Sequence, residues 1–282
     1  MKKFAIYLCC SLFVCLGIGT LNAETIKGNG KIVTKEIDVR DFDEITLSVP
    51  ATVHFTQSEQ YSCSITIDEN LAQFIGIKVI GDDLSIKQVP SKDGKPLLSF
   101  SLGEKDVSVP KYQYPTLQFT KFEINISAPG LEDVRVNGAG IFIFMNDFSD
   151  HKLDADVNGN GQIKSGNVMK ISELDVEITG SGSVDFAQVT AEEAEVTLSG
   201  SGYATLNGSF FEVDLKLMGT GNITVNGDAK IAMTKIAGSG DIRIEYVSRL
   251  VKYDIAGSGN VYYSGDAEIR GFAAGSGTIQ RR

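Results

Sequence analysis

The chain has 282 residues, with 26 basic and 36 acidic side chains, and its formal net charge is −10. This acidic balance makes nucleic acid and anionic membranes unsuitable partners. The length is sufficient for a substantial core in one domain or in two packed domains.

Residues 1–23 have the pattern of a secretory signal peptide. Lys2 and Lys3 form a basic start, 4–19 are apolar, and Ala23 is a small residue at the expected cleavage position. The apolar stretch is shorter than a comfortable membrane span, and no later stretch is long enough, so we expect no transmembrane span in the mature chain. We therefore expect an exported protein that is located in the periplasm or on the outer membrane surface, or is secreted.

Three of the four cysteines, Cys9, Cys10 and Cys15, lie in this signal segment. Lipidation of Cys15 is the alternative to simple cleavage, but 12–14 lack the small residue that lipid attachment requires. Only Cys63 remains in the mature chain, so no internal disulfide is possible. Because Cys63 alternates in phase with apolar neighbours, we predict a buried structural thiol.

Residues 24–129 form a β-rich N-terminal region in which apolar and polar residues alternate. Gly81, Asp82 and Asp83 indicate a hairpin turn between two short strands. Four of the six prolines lie in a segment at about 90–116, which predicts a long loop. Such a loop either has a function or is only a connecting segment on the protein surface.

Residues 130–282 contain a Gly-x-Gly doublet that recurs eight times, with first glycines separated by 18 to 21 residues. A fixed period near twenty is typical of stacked repeats. The doublets are Gly138/Gly140, Gly159/Gly161, Gly180/Gly182, Gly200/Gly202, Gly219/Gly221, Gly238/Gly240, Gly257/Gly259 and Gly275/Gly277.

Apolar residues alternate with polar ones on both sides of every doublet. The position two residues before the first glycine is always apolar, and so is the position two residues after the second. Four residues after the second glycine, the first seven repeats have an apolar residue, with Ser165 as the one polar exception. Period-two alternation in a fixed repeat predicts an all-β fold, a parallel β-solenoid of about eight coils whose apolar columns stack inside. We expect the glycines where the backbone bends sharply or approaches the core.

The residue between the two glycines has the opposite parity to the core columns, so it is predicted to face outward. Stacking would align these small polar residues as a ladder along one edge: Asn160, Ser181, Ser201, Thr220, Ser239, Ser258 and Ser276, with Ala139 before them. The functional interpretation is a binding strip for a glycan or a partner surface. The structural interpretation is that a tight corner accepts only small polar residues.

Few residues have side chains of the types that metal binding or catalysis uses. His54 and His151 have neither a cysteine nor a second histidine nearby, so we predict no metal site, no cofactor and no catalytic triad. Carboxylates occur at Asp154, Asp156, Asp185, Glu192, Glu193 and Glu195. A carbohydrate-active enzyme would need such groups clustered on one face, whereas on an acidic solenoid they serve solubility.

Several short segments carry a resemblance: RDFDEI (40–45), VHFTQ (53–57), IDENL (67–71), APGL (128–131) and the Gly-Ser-Gly repeats. In this order they resemble the putative autotransporter adhesin head GIN domain family over nearly the whole mature chain. The resemblance implies an exported bacterial protein with a β-solenoid-like fold and an adhesive role, and it brings no catalytic residues.

The expected function is therefore a non-enzymatic binding module of the cell envelope or surface, with a glycan or cell-surface protein as partner. A structural scaffold for an envelope complex and a carbohydrate-active enzyme are the alternatives. The last coil, 275–280, lacks a polar cap, so we expect either the N-terminal region or a neighbouring subunit, as in a homo-oligomer, to cover it.

Overall fold

The computed structural model describes residues 25–90 and 114–282. The signal segment and 91–113 of the proline-rich segment lie outside the described residues. The first part contains β1 (Thr25–Lys27), β2 (Ile32–Ile37), β3 (Glu44–Ser48), β4 (Thr52–Gln57), β5 (Ser62–Asp68), a 3-10 helix (Ala72–Phe74), β6 (Ile75–Ile80), β7 (Asp83–Gln88), β8 (Thr116–Gln118) and β9 (Phe122–Ala128).

The second part contains eleven further strands. They are β10 (Asp133–Gly138), β11 (Ile141–Phe144), β12 (Phe148–Gly159), β13 (Gln162–Gly180), β14 (Ser183–Gly200), β15 (Tyr203–Gly219), β16 (Asn222–Gly238), β17 (Asp241–Gly257), β18 (Val261–Tyr263), β19 (Glu268–Gly275) and β20 (Ile279–Arg281). Among the described residues no helix is both long and apolar enough to cross a membrane.

Strands β10 to β20 wind into a parallel β-solenoid, as the repeat predicts. The first glycine of each doublet pairs with the first glycine of the next, from Gly138 through to Gly275. The solenoid makes about seven turns, against the eight coils expected. The difference arises because eight stacked doublets enclose seven intervals.

Each full turn contains three paired segments separated by bends. In β13 these segments are 162–165, 168–171 and 173–180, with a register shift after Ser165. The inward-facing positions change parity between Ile171 and Leu174, both of which are buried. Three short, half-buried segments per turn therefore enclose a single core, and every turn buries its apolar side chains against the turns above and below.

The predicted apolar columns form the core. Two residues before the first glycine, the side chains from Val136 to Ile255 are all fully buried. The column continues into the N-terminal region, where Leu47 pairs with Val136 and Ile86 pairs with Leu47. Ala273 is the exception to the predicted burial, because its strand has no further described strand stacked beyond it.

Each doublet needs two glycines for two reasons. Gly238 has φ +150°, and a Cβ there would lie 2.1 Å from the carbonyl oxygen of Gly219. Gly240 has no such φ, but its Cβ would lie 2.0 Å from the carbonyl oxygen of Gly221 and 2.9 Å from Leu217. Real side chains do not fit at these distances, so the corner closes only with glycine at both positions.

The N-terminal region continues the solenoid at its first turn. Strand β3 pairs in parallel with both β10 and β7, and β4 pairs in parallel with both β11 and β9. Antiparallel strands follow on the outside: β6 pairs with β7, β5 pairs with β9, and β2 pairs with β5. The predicted hairpin is the β6–β7 pair, closed through Gly81 at φ +67°.

The last turn ends differently. Strand β19 pairs only with β17, and β20 only with β18, among the described residues. The expectation that the N-terminal region covers this end is wrong, because that region pairs with the first turn. All eight residues of β19 are exposed.

Cys63 lies in β5 with its side chain in the core, as predicted. Burial, reinforced by the nearby Glu36 carboxylate, raises the pKa of the thiol to about 12. The thiol is therefore neutral at physiological pH and acts as a small apolar side chain.

Candidate functional site

The predicted ladder stands at the Gly-x-Gly corner. All seven of its side chains, from Asn160 to Ser276, are exposed, and so is Ala139 before them. The backbone N–H of each member from Asn160 to Ser258 donates to the first glycine of the preceding turn, at 2.8–3.0 Å. The structure shows no hydrogen bond between these ladder side chains and any other described residue. The corner thus has a rigid backbone and free polar side chains.

A second polar column runs beside the ladder, one residue after the second glycine. Its backbone N–H groups and side chains bond from turn to turn: Asn260 N–H to Asp241 Oδ1 at 3.1 Å, and Thr278 N–H to Asn260 Oδ1 at 3.2 Å. Tyr203 stands in this column with 47% of its surface exposed. An exposed aromatic side chain therefore stands in this polar column, two residues after Ser201 in the chain.

A different face carries a straight column of seven carboxylates. They lie in register on seven successive strands: Asp83, Glu44, Asp133, Asp154, Asp175, Glu195 and Asp214. Neighbouring parallel strands are about 4.8 Å apart, so like charges stand directly opposite one another, an arrangement that is destabilising.

Three basic side chains neutralise part of the negative charge of this column. Arg135 bonds to both Asp133 and Asp156, with its Nε 3.1 Å from Asp156 Oδ2. Lys152 Nζ lies 2.7 Å from Asp154 Oδ2. Lys216 Nζ lies 2.5 Å from Glu195 Oε1 and 3.3 Å from Asp214 Oδ2.

Two members of the column keep protons more readily than ordinary aspartates do. Burial raises the pKa of Asp133 to about 6, against the opposing effect of Arg135. Burial, together with the carboxylates of Glu195 and Asp154, raises the pKa of Asp175 to about 6. These carboxyl groups therefore titrate near neutral pH and carry electrostatic strain above it.

The carboxylates singled out in the sequence do not form one cluster. Asp154 and Glu195 belong to the carboxylate column, and Asp156 and Glu193 flank it. Asp185 lies on another segment of the turn, paired with Lys164 and Thr205, and Glu192 is exposed at a bend. The groups considered for catalysis are thus divided among separate faces.

The two histidines lie far apart in the fold. His54 faces away from the core, with Nδ1 3.3 Å from Met145 Sδ. His151 is exposed, with Nε2 3.9 Å from Glu173 Oε1. In the part of the chain that the structure describes, no group of three or more His, Cys, Asp or Glu side chains is arranged to hold a metal ion.

Two features were missed in the sequence. The carboxylate column could have been found by reading position five before the first glycine, which is acidic in five consecutive repeats. Glu44 and Asp83 lie outside the repeats and carry no such signal. Tyr203 could have been noticed because its position is polar in most other repeats.

Fold and surface together define a class: a parallel β-solenoid that displays straight columns of polar side chains outside a continuous apolar core. A family model described as "Putative auto-transporter adhesin, head GIN domain" matches residues 41–267. The chain belongs to this family, which confirms the resemblance noted in the sequence.

Solved structures share the fold. A crystal structure described as a putative lipid binding protein from Parabacteroides distasonis ATCC 8503 is 27% identical, with a TM-score of 0.79. Structures described as putative adhesins from Parabacteroides merdae ATCC 43184 and P. distasonis ATCC 8503 are 24% and 21% identical, each with a TM-score of 0.76. Each comparison covers 92% of this chain and 100% of the other. No curated protein matches the chain.

Proposed function

We propose that this protein is an exported, non-enzymatic binding module of the cell envelope or cell surface. It holds a glycan or a cell-surface protein against the ladder at the Gly-x-Gly corner. The observation that carries the proposal is the ladder itself: seven exposed polar side chains in register, on a backbone bonded from turn to turn. Membership of an adhesin-head family supports the adhesive role.

The ladder suits a repeating ligand. Its steps of about 4.8 Å give seven side chains a length of roughly 29 Å. Serine and threonine hydroxyls both donate and accept hydrogen bonds, as sugar hydroxyls do. Because the stacked backbone is already ordered, binding would immobilise only short side chains, which keeps the entropic cost small.

Tyr203 adds a stacking surface to this strip. Its side chain is exposed two residues after Ser201 in the chain, and an aromatic face packs against the apolar face of a sugar ring. A glycan lying along the ladder would therefore contact hydroxyl groups and one ring together. This combination favours a glycan over a flat protein surface.

The layout of the acidic groups supports a non-enzymatic role. Carboxylates of the column project from successive strands of one sheet face, so they point in the same direction. Glycoside hydrolysis uses two carboxyl groups on opposite sides of the scissile bond. Asp154, Glu195 and Asp214 are instead engaged by lysines, as a solubilised acidic surface would be.

A glycan array tests the proposal. The triple variant Ser201→Lys, Thr220→Lys, Ser239→Lys adds three cations to the ladder, and we expect it to abolish glycan binding. The matched control, Thr190→Lys, Ser209→Lys, Ser248→Lys, adds the same charge to exposed positions on another segment and should bind normally. Tyr203→Ala should weaken binding about tenfold or more, from loss of one stacking contact.

Other results would point elsewhere. Unchanged binding by the ladder variant removes the ladder as the binding surface. Release of reducing ends from a polysaccharide panel supports an enzyme, and co-purification of one fixed envelope protein supports a scaffold. Lipid vesicles belong in the same panel, because one solved relative is described as lipid binding.

A further inference from the structure

Strand β19 forms an open edge at the end of the solenoid. It pairs with β17 on one side, and no described strand pairs with its other side. Its side chains include Ile269 at 45% exposure and Phe272 at 63%, the most exposed large apolar side chain in the described residues. Unpaired backbone groups beside exposed apolar side chains form a template for another strand.

Two other edge strands, β2 and β6, carry protective charges that β19 lacks. Exposed Lys35 lies in β2, and exposed Lys78 lies in β6, so added strands would meet an unpaired cation. In β19 the one cation, Arg270, is already bound to Glu268, with Nε–Oε1 at 2.8 Å and a second bond at 3.0 Å. The edge of β19 is therefore electrically neutral, and no unpaired charge opposes the addition of another strand.

Charge distribution along the molecule favours a second copy at this end. The whole chain has a net charge of −10, yet 241–282 contain six basic and five acidic residues, a net charge of 6 − 5 = +1. The carboxylate column ends at Asp214, and its next three positions are Met233, Lys252 and Arg270. Two copies meeting at β19 thus keep their acidic columns apart.

We infer that two copies of this chain associate end to end through antiparallel pairing of β19 with β19 of the second copy, about a two-fold axis at Gly271. This register uses nearly the whole strand. It sets Ile269 opposite Ala273 of the second copy on the core side, and Arg270 opposite Phe272 on the outer side. The apolar cores become continuous, and each guanidinium lies over an aromatic ring.

The pairing brings no like charges into opposition. Glu268 faces Ala274 of the second copy, and each Arg270 faces an aromatic ring. A symmetric interface also closes the assembly at two copies, because both open β19 edges are consumed. The inference stands apart from the proposed function, since it involves neither the ladder nor Tyr203.

Sedimentation of the full exported protein from about 1 to about 100 µM measures the association. We expect a dimer, and we expect Ile269→Lys, Phe272→Lys to raise its dissociation constant at least about tenfold, with an unchanged far-UV spectrum. The matched control is Ile80→Lys, at the 57% exposed end of β6 on the opposite tip. Ile80→Lys should leave the dimer intact. If the copies instead assembled head to tail, β19 of one copy would meet the opposite tip of the next, and either change would weaken the association.

Cross-linking tests the register without relying on a destabilising change. In the variant Glu268→Cys, Ala274→Cys, each new thiol lies opposite its partner thiol of the second copy, at a Cα separation of about 5 Å. A covalent dimer with two disulfides is expected under mild oxidation. Glu268→Cys, Ala256→Cys, with the second thiol one turn back, should not cross-link. A wild-type monomer throughout, or cross-linking by the second pair alone, overturns the inference.

Discussion

The rings of Phe144 and Phe186 meet edge to face, with centroids 6.2 Å apart, although the strand of Ser165 lies between theirs. Strands two positions apart are separated by about 9.6 Å, so the two rings must both lean into the intervening turn. The small buried Ser165 leaves them this space. Its Oγ accepts a hydrogen bond from Asn167 N–H at 3.2 Å, which satisfies the buried hydroxyl.

Ser165→Phe should therefore destabilise the solenoid. A third ring in the column overpacks the space shared by Phe144 and Phe186, and such overpacking costs about 1–3 kcal/mol. Urea unfolding followed by circular dichroism measures the change. Lys164→Phe, whose side chain is directed outward in the same strand, is the matched control and should shift stability by less than about 0.5 kcal/mol. Equal effects of the two changes would refute the packing explanation.

Two glycines that follow the first paired segment of their turns should respond differently to alanine. Gly227 has φ +130°, and a Cβ there would lie 2.0 Å from the carbonyl oxygen of Gly208. Gly166 has no left-handed φ and open space around its Cβ position. We expect Gly227→Ala to cost more than about 2 kcal/mol and Gly166→Ala to be nearly neutral. Thermal unfolding of both variants checks this, and similar losses at both would contradict it.

The carboxylate column should make stability rise as the solution is mildly acidified. The pKa of Asp175 is about 6 in the folded protein, above its ordinary value near 3.8. A raised folded pKa means that stability is fully present below the unfolded pKa and is lost as pH rises through about 6. Asp175→Asn should therefore raise Tm by about 2 to 4 °C at neutral pH, a modest gain because the side chain is partly solvated.

The pH dependence separates this explanation from a general effect of removing charge. The advantage of Asp175→Asn should shrink between pH 6 and pH 4, because the wild-type carboxyl becomes neutral there. Asp185→Asn removes one charge from a column in which its neighbours are Lys164 and Thr205. That control should not raise Tm, and a gain equal to that of Asp175→Asn would argue against the column.

The carboxylate of Asp68 should be required to hold β1 and β2 in place. Its buried carboxylate accepts backbone N–H bonds from Gly30 at 2.9 Å and Thr120 at 2.7 Å. Burial raises the pKa of Asp68, but these backbone bonds lower it more, so it lies below its ordinary value. Asp68→Ala removes both of these hydrogen bonds to a charged group and should cost about 3 kcal/mol.

Neighbouring Glu69 provides the control for Asp68. Its exposed ion pair with Lys31, at 2.9 Å, is solvated, so Glu69→Ala should change stability by less than about 0.5 kcal/mol. Native-state hydrogen exchange in β1 and β2 measures whether Asp68→Ala loosens these strands first. Unchanged exchange there would show that Asp68 does not fasten them.

Local pattern predicted most of the solenoid interior. Val136, Val157 and Ile178 recur at a constant offset from the glycines, and a constant offset allows only one register for stacking. Burial of Ala273 was wrongly expected, because the pattern specifies which face points inward and not whether another strand lies beyond. The facing of the ladder followed from the same parity, but its role in binding remains a prediction.

The amino-acid sequence by itself determined the winding of the chain: its period, its inward columns and the corners that admit only glycine. These features follow from the chemistry of residues within about twenty positions of one another. The tertiary structure alone decided which end the N-terminal strands cover, how Glu44 and Asp83 extend the carboxylate column, and that β19 is left open. Those outcomes depend on pairings such as Glu44 with Asp133, between residues distant in sequence that share no repeat to align them.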